Sequence, residues 1–194
     1  MHELSQMIKD DMKPALGVTE PGAIAFAVAK ARSFTKGDIK KVNVAMNSGM
    51  YKNAFTCGIP NSNEVGNVFA AALGVVAGNA DKGLESLADV TPEDNVKAQE
   101  MIDQGKVTVE LSGITSRIFI EATVETEEDK AIVTIRDSHT NITKITVNDK
   151  VELETEDEKK TEEDGGEEEA HSIHKYTLQQ LYDYVTTVDI EEIR

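Results

Sequence analysis

Four consecutive stretches decide the fold of this chain: VTVELSGI (107–114), RIFIEATVE (117–125), KAIVTIRDS (130–138) and ITKITVND (142–149). Each alternates apolar and polar residues with period two, which places one set of side chains on each face of a strand. Short polar turns separate them, so they are expected to pair as an antiparallel meander with one apolar face to cover. The cover must come from earlier in the chain. KKVNVAMNS (40–48) alternates Val42, Val44 and Met46 and reads as a further strand, but most of the first hundred residues carry helical signals. Residues 2–12 place Leu4, Met7, Ile8 and Met12 at helical spacing until Pro14 ends or bends the run. Residues 20–34 are apolar almost all round (Ile24, Phe26, Val28 and several Ala), as a buried helix should be.

Small residues mark how the helices meet. In VGNVFAAALGVVAGNADKGLESL (65–87), Gly66, Gly74 and Gly78 recur at intervals of eight and four, on or near one helical face. Such spacing lets two backbones approach closely. Thr91-Pro92-Glu93 opens another helix, running to about Gln104, with Gly105 as its stop. TLQQLYDYVTTV (177–188) is an amphipathic helix late in the chain. The expected class is therefore α+β, a single domain over 1–194: N-terminal helices packed with an antiparallel sheet, an acidic loop and a C-terminal helix.

The net charge of −16 excludes a basic nucleic-acid-binding face. Segment 152–169, ELETEDEKKTEEDGGEEE, supplies −9 of it, from eleven Asp or Glu against two Lys. A run of this kind repels itself, so a mobile, solvated surface loop is expected there. Its acids lack the alternating ligand positions of a calcium loop. Cys57 is the single cysteine, which makes no intramolecular disulfide and builds no zinc or iron–sulfur site by itself. With no signal peptide at the start and no apolar run of about 20 residues, a cytoplasmic chain with no membrane partner is expected.

Few residues carry chemistry by pattern alone. Glu20 opens the second helix behind Thr19, whose side chain is placed to cap it. Such an acid either binds an amino group, acts as a base or simply complements the helix dipole. His139, in DSHTNIT, lies between two strands with Asn141 close by. It suits proton transfer or carboxylate binding, or else an ordinary turn closed by Asp137, Ser138 and Asn141. Lys52 and Asn53 follow a strand in SGMYKNAF, where side chains either converge on a cleft or, as their chemistry alone favours, are turn residues. Cys57, in FTCGIP, reads as a buried structural thiol. His171 and His174 flank the acidic segment without a clear further ligand, so no metal site is assigned. No phosphate loop, dinucleotide fingerprint, nucleophile elbow or zinc-protease motif occurs.

The order of these stretches resembles a known family. KPALGVTEPG (13–22), NSGMYKNAFTCGIP (47–60), AAALGVVAGNADKGLESL (70–87), DSHTNIT (137–143) and the TLQQLYDYV helix are similar to the N-terminal half of L-cysteine desulfidases. That family is itself related to iron–sulfur L-serine dehydratases. The resemblance implies a lyase acting on a small amino acid, converting L-cysteine to pyruvate, ammonia and hydrogen sulfide. It also implies a [4Fe–4S] cluster in the full-length family, whose open iron polarises the substrate while a base removes the α-proton. Carried over, Thr19, Glu20, Asn53, His139, Thr140 and Asn141 become candidate substrate-binding residues. Two departures stand out. Val18 occupies the family's cysteine position, and the family polypeptide is longer, with its remaining cluster cysteines in the part absent here. The chain alone is expected to hold no cofactor and to be inactive without a C-terminal half or partner subunit. The alternative is a non-catalytic amino-acid-binding or structural partner domain, with room for a homo-oligomer.

Overall fold

The computed structural model describes residues 2–12, 14–114, 117–155 and 172–193. In chain order its elements are α1 (Glu3–Asp11), α2 (Thr19–Ser33), β1 (Ile39–Met46), α3 (Ser48–Ala54), α4 (Asn67–Ala77) and α5 (Pro92–Asp103). Then come β2 (Val107–Leu111), β3 (Phe119–Thr126), β4 (Lys130–Arg136), β5 (Ile142–Val147), β6 (Lys150–Glu154), α6 (Leu178–Thr187) and α7 (Ile190–Ile193). Short 3-10 turns occupy Ala80–Glu85 and Ser172–Lys175. The class is α+β, as the pattern predicts: early helices, a mostly antiparallel sheet, and a late helix. The chain divides into two compact units, one of Pro14–Glu158 and one of Met1–Lys13 with Lys159–Arg194.

The larger unit is built on a six-stranded sheet ordered β2-β1-β3-β4-β5-β6. β3 to β6 form the expected meander, with neighbours antiparallel. β2 does not belong to it. The 107–114 stretch pairs in parallel with β1 at the sheet edge, and β1 separates it from β3. The helical segment between β1 and β2 explains this, since a parallel pair needs a long crossover that a meander does not. One face of the sheet is apolar: Val42, Val44 and Met46 of β1, Ala122 and Val124 of β3, and Ala131, Val133 and Ile135 of β4 are all completely buried. The other face is polar, with Asn43 of β1 donating to Glu110 of β2 at 2.9 Å and Lys144 of β5 pairing with Glu154 of β6 at 2.7 Å.

α2 lies on the apolar face, packed against β3 and β4 on one side and against α4 and the 3-10 turn at 80–85 on another. That placement explains why its sequence is apolar all round: Pro21 through Ala29, and Ala31, are buried. Each fully buried Val or Ile contributes roughly 1.5–3 kcal/mol, and α2 alone brings Ile24 and Val28. The glycine reading holds at Gly74, where a Cβ would sit 2.7 Å from the Ala25 carbonyl oxygen and 2.8 Å from Ala25 Cα. Only glycine permits that approach. Gly78 packs likewise, its missing Cβ 2.7 Å from that of Ala29. Gly66 is not on this face, because it precedes the helix as the α4 cap. α5 begins with the expected Thr91 cap, in a capping box with Asp94, and ends at Asp103, with the left-handed Gly105 following the Gln104 cap.

Two elements depart from the sequence expectations. Lys52 and Asn53 lie on the helix α3 rather than in a turn. The acidic segment starts inside β6, which pairs antiparallel with β5, and Lys144 of β5 bonds Glu154 across that pair. The rest of that segment from 156, and His171, fall outside the described residues.

The smaller unit contains α1, the 3-10 turn at 172–175, α6 and α7. Ser5 Oγ lies 2.8 Å from Tyr184 Oη and donates to Glu192 at 3.1 Å. Glu3 accepts from Lys175 and, at 2.8 Å, from the Tyr176 hydroxyl. The Thr177–Gln180 capping box starts α6. Among the described residues no helix is long and apolar enough to cross a membrane.

Candidate functional site

The start of α2 gathers residues from three distant parts of the larger unit. Val18, not Thr19, is the α2 N-cap, with extended backbone and no side-chain bond to the helix. Thr19 is already helical, so its hydroxyl turns to other partners. It donates to Glu20 Oε2 at 3.4 Å and lies 3.4 Å from His139 Nε2. Glu20 Oε1 accepts from the Asn53 side-chain amide at 3.0 Å. α3 thus presents Asn53 to the first turn of α2, and the β4–β5 turn presents His139 to the same turn. The preceding loop also meets the segment after α3, since a Cβ on Gly17 would lie 3.9 Å from Pro60 Cγ.

The electrostatics of His139 follow from its half-buried position. Burial holds its pKa below the ordinary histidine value of 6.5, and the positive charge of Arg117 acts in the same direction. The Glu20 carboxylate opposes both without reversing them. His139 is therefore a neutral imidazole at neutral pH, with one ring nitrogen able to donate and the other to accept. A carboxylate, a primary amide, a hydroxyl and a neutral imidazole in one hydrogen-bonded cluster are chemically suited to the amino and carboxylate ends of a small zwitterion.

The remaining candidates are placed differently. The Asn141 amide donates to the Arg136 carbonyl at 3.1 Å and so clamps the β4–β5 turn. Thr140, half-buried, adjoins His139 in that turn. Cys57 is not buried as expected. It is partly exposed and donates its thiol to the Asn53 carbonyl at 2.7 Å, one helical turn back, which secures the end of α3. Two contributors, Asn47 and Arg117, escaped the sequence reading. Asn47, buried at the end of β1, accepts from the Phe119 N–H at 3.1 Å and donates to the Arg117 carbonyl at 3.3 Å. It thereby fixes the backbone that carries Arg117. Its partners lie 70 and 72 residues away, so no local signal could reveal it.

The donor set does not fit a [4Fe–4S] cluster. Such a cluster is held by several thiolates, the chain has one cysteine, and the described residues contain no group of three or more metal-ligating side chains. Val18 stands where the resemblance places a thiol.

The fold and site thus define a helix-backed α+β unit with an acid–amide–imidazole cluster at the start of its central helix. Its relatives are longer proteins. The chain is 34% identical over 189 residues to a UPF0597 protein of Clostridium botulinum strain Hall, covering 96% of this chain and 44% of that protein. A second UPF0597 protein of the same strain is 33% identical over 190 residues, covering 98% of this chain and 43% of the relative. One from strain Okra is 34% identical over the same length. The chain is related to these UPF0597 proteins and spans less than half their length. No protein-family model matches the chain, and no solved structure matches it.

Proposed function

We propose that this chain is the N-terminal part of a serine dehydratase-like, L-cysteine desulfidase-like lyase, and that the start of α2 forms one wall of its pocket for a small L-amino acid. The observation that carries this reading is the convergence of Thr19 and Glu20 with Asn53 and His139 from separate segments. In this reading Glu20, oriented by the Asn53 amide, receives the substrate ammonium. His139 is positioned by Thr19, and its neutral ring bonds the carboxylate or accepts a proton. Thr140 and Asn141 shape the same turn. The overall reaction converts L-cysteine and water to pyruvate, ammonia and hydrogen sulfide, or L-serine to pyruvate and ammonia. No step is routed through an iron–sulfur cluster, because this chain lacks the thiolates to hold one.

Val18 favours a second reading, a non-catalytic amino-acid-binding domain. It is 48% exposed at the head of the site and offers neither ligand nor proton. Calorimetric titration of L-serine and L-cysteine into the chain separates these readings from a purely structural role. Saturable binding that weakens at least tenfold in Glu20→Gln and His139→Gln supports the pocket, and no binding refutes it. Sulfide and pyruvate release is then measured on the full-length gene product after anaerobic iron–sulfur reconstitution, with Val18 and with Val18→Cys. Turnover with Val18 present supports the lyase. Binding without turnover, or turnover only after Val18→Cys, supports the non-catalytic domain.

A further inference from the structure

The cluster at the start of α2 is one charge short of what an amino acid needs. Glu20 brings a negative charge, Thr19 and Asn53 bring none, and burial keeps the His139 ring neutral. Glu20 can take an ammonium group. The carboxylate of the same molecule would then lie among neutral donors, close to a second carboxylate, and like charges at that range repel. An arginine fork is the group that suits a carboxylate best, through two parallel N–H bonds. Arg117 lies beside the cluster. β3 and β4 pair Phe119 with Arg136, and just beyond that pair the Asp137 N–H donates to the Ile118 carbonyl at 3.1 Å. The residues leading into β3 therefore run alongside the turn that carries His139.

Arg117 is held by its backbone and left free at its tip. The buried Asn47 side chain donates to its carbonyl at 3.3 Å. Its own side chain is exposed, and among the described residues no hydrogen bond or ion pair engages the guanidinium. Its charge nonetheless reaches the His139 ring. Lys52 is a second cation near the site, but it precedes Asn53 on a helix, where consecutive residues point to different sides. We propose that Arg117 binds the α-carboxylate of the amino acid whose ammonium Glu20 receives, so that the site selects ligands with a free carboxylate. The His139 ring is then left to take a proton rather than to hold the carboxylate. The proposal rests on the reading of the α2 cluster as an amino-acid pocket and names the residue that gives that pocket its specificity.

The test uses the whole chain, with L-serine and ethanolamine as calorimetric probes. Ethanolamine keeps the ammonium and the hydroxyl and lacks the carboxylate. Expected is that the parent binds L-serine at least tenfold more tightly than ethanolamine. Arg117→Gln should remove that preference, weakening L-serine at least tenfold and ethanolamine less than twofold. Arg117→Lys should lose only part of it, since an ammonium keeps the charge and gives up the fork. Arg117 is exposed, so both variants should keep the fold by circular dichroism, and if the Gln variant does not, the partial loss in Arg117→Lys decides. Without any ligand, NMR titration should show the His139 pKa rising in Arg117→Gln, because a repelling positive charge is gone. L-serine binding indifferent to Arg117→Gln, lost equally with ethanolamine or lost in Lys52→Gln instead would overturn the proposal and leave the pocket standing. An unmoved His139 titration would do the same. No L-serine binding by the parent would overturn the pocket reading and this proposal with it, so the two failures are distinguishable.

Discussion

Replacing Gly74 with alanine tests whether backbone contact between α2 and α4 sets the position of the central helix. Alanine is the better helix former, by about 1 kcal/mol, so an isolated α4 would gain from the change. In the fold, the new Cβ would lie 2.7 Å from the Ala25 carbonyl oxygen and 2.8 Å from Ala25 Cα. Carbon atoms pack best at about 3.5–4.0 Å, so the helices must separate by roughly 0.7 Å. The obstructing atoms are backbone, so no side-chain rotation relieves them. Overpacking of this kind costs about 1–3 kcal/mol, and contact with backbone places it at the upper end. After the propensity gain, the net loss is about 2 kcal/mol, which lowers the melting temperature by about 4–8 °C for a domain of this size. Gly58→Ala is the control, because a Cβ there meets nothing within 4 Å and its φ is not left-handed. It should stay within about 0.5 kcal/mol of the parent. Thermal and urea unfolding of the three proteins by circular dichroism decides the matter. A Gly74→Ala protein as stable as the parent, or more so, would show that the close helix approach is not what glycine serves there.

Three further outcomes are expected. Asn47→Ala removes the two side-chain bonds from Asn47 to the 117–119 backbone, keeps the one from its own N–H to the Phe119 carbonyl, and takes away the Phe119 N–H's partner, so urea unfolding should show a loss of about 2–3 kcal/mol. Thr91→Ala removes the α5 capping box and should cost about 1 kcal/mol in the same assay, whereas Ser should restore most of it. For His139, burial lowers the folded-state pKa below 6.5, so between those two values the unfolded chain binds the extra proton. Its contribution to stability is then complete above pH 6.5 and is lost as pH falls through the lowered value. His139→Gln should flatten that part of the stability–pH profile, and an unchanged profile would contradict the burial argument.

What could be read from the sequence, and what could not, divides along the range of the interactions involved. Period-two alternation identified β3 and β4 because each has one face on α2 and one turned away from it, and that asymmetry is written locally; β5 was legible through the same alternation. The buried helix 19–33 was legible for the same reason, since contact on several sides demands apolar residues all round. β2 misled because its alternation matches its neighbours while its parallel pairing with β1 is fixed by the helical crossover, which periodicity does not encode. The site follows the same rule. Thr19 looked like a cap because capping chemistry is local, but its hydroxyl lies beside an imidazole 120 residues away. Asn53 looked like a turn residue, yet one helical turn in α3 suffices to bring its amide to Glu20. The motif resemblance supplied what local chemistry could not, the grouping of positions 19, 20, 53 and 139, and hydrogen bonds join those side chains in one cluster. Val18 therefore weighs more than any residue the cluster retains. In the proposed pocket the acid, amide and imidazole remain to bind a substrate while Val18 supplies neither ligand nor proton, and the full-length turnover assay is what separates binding from catalysis.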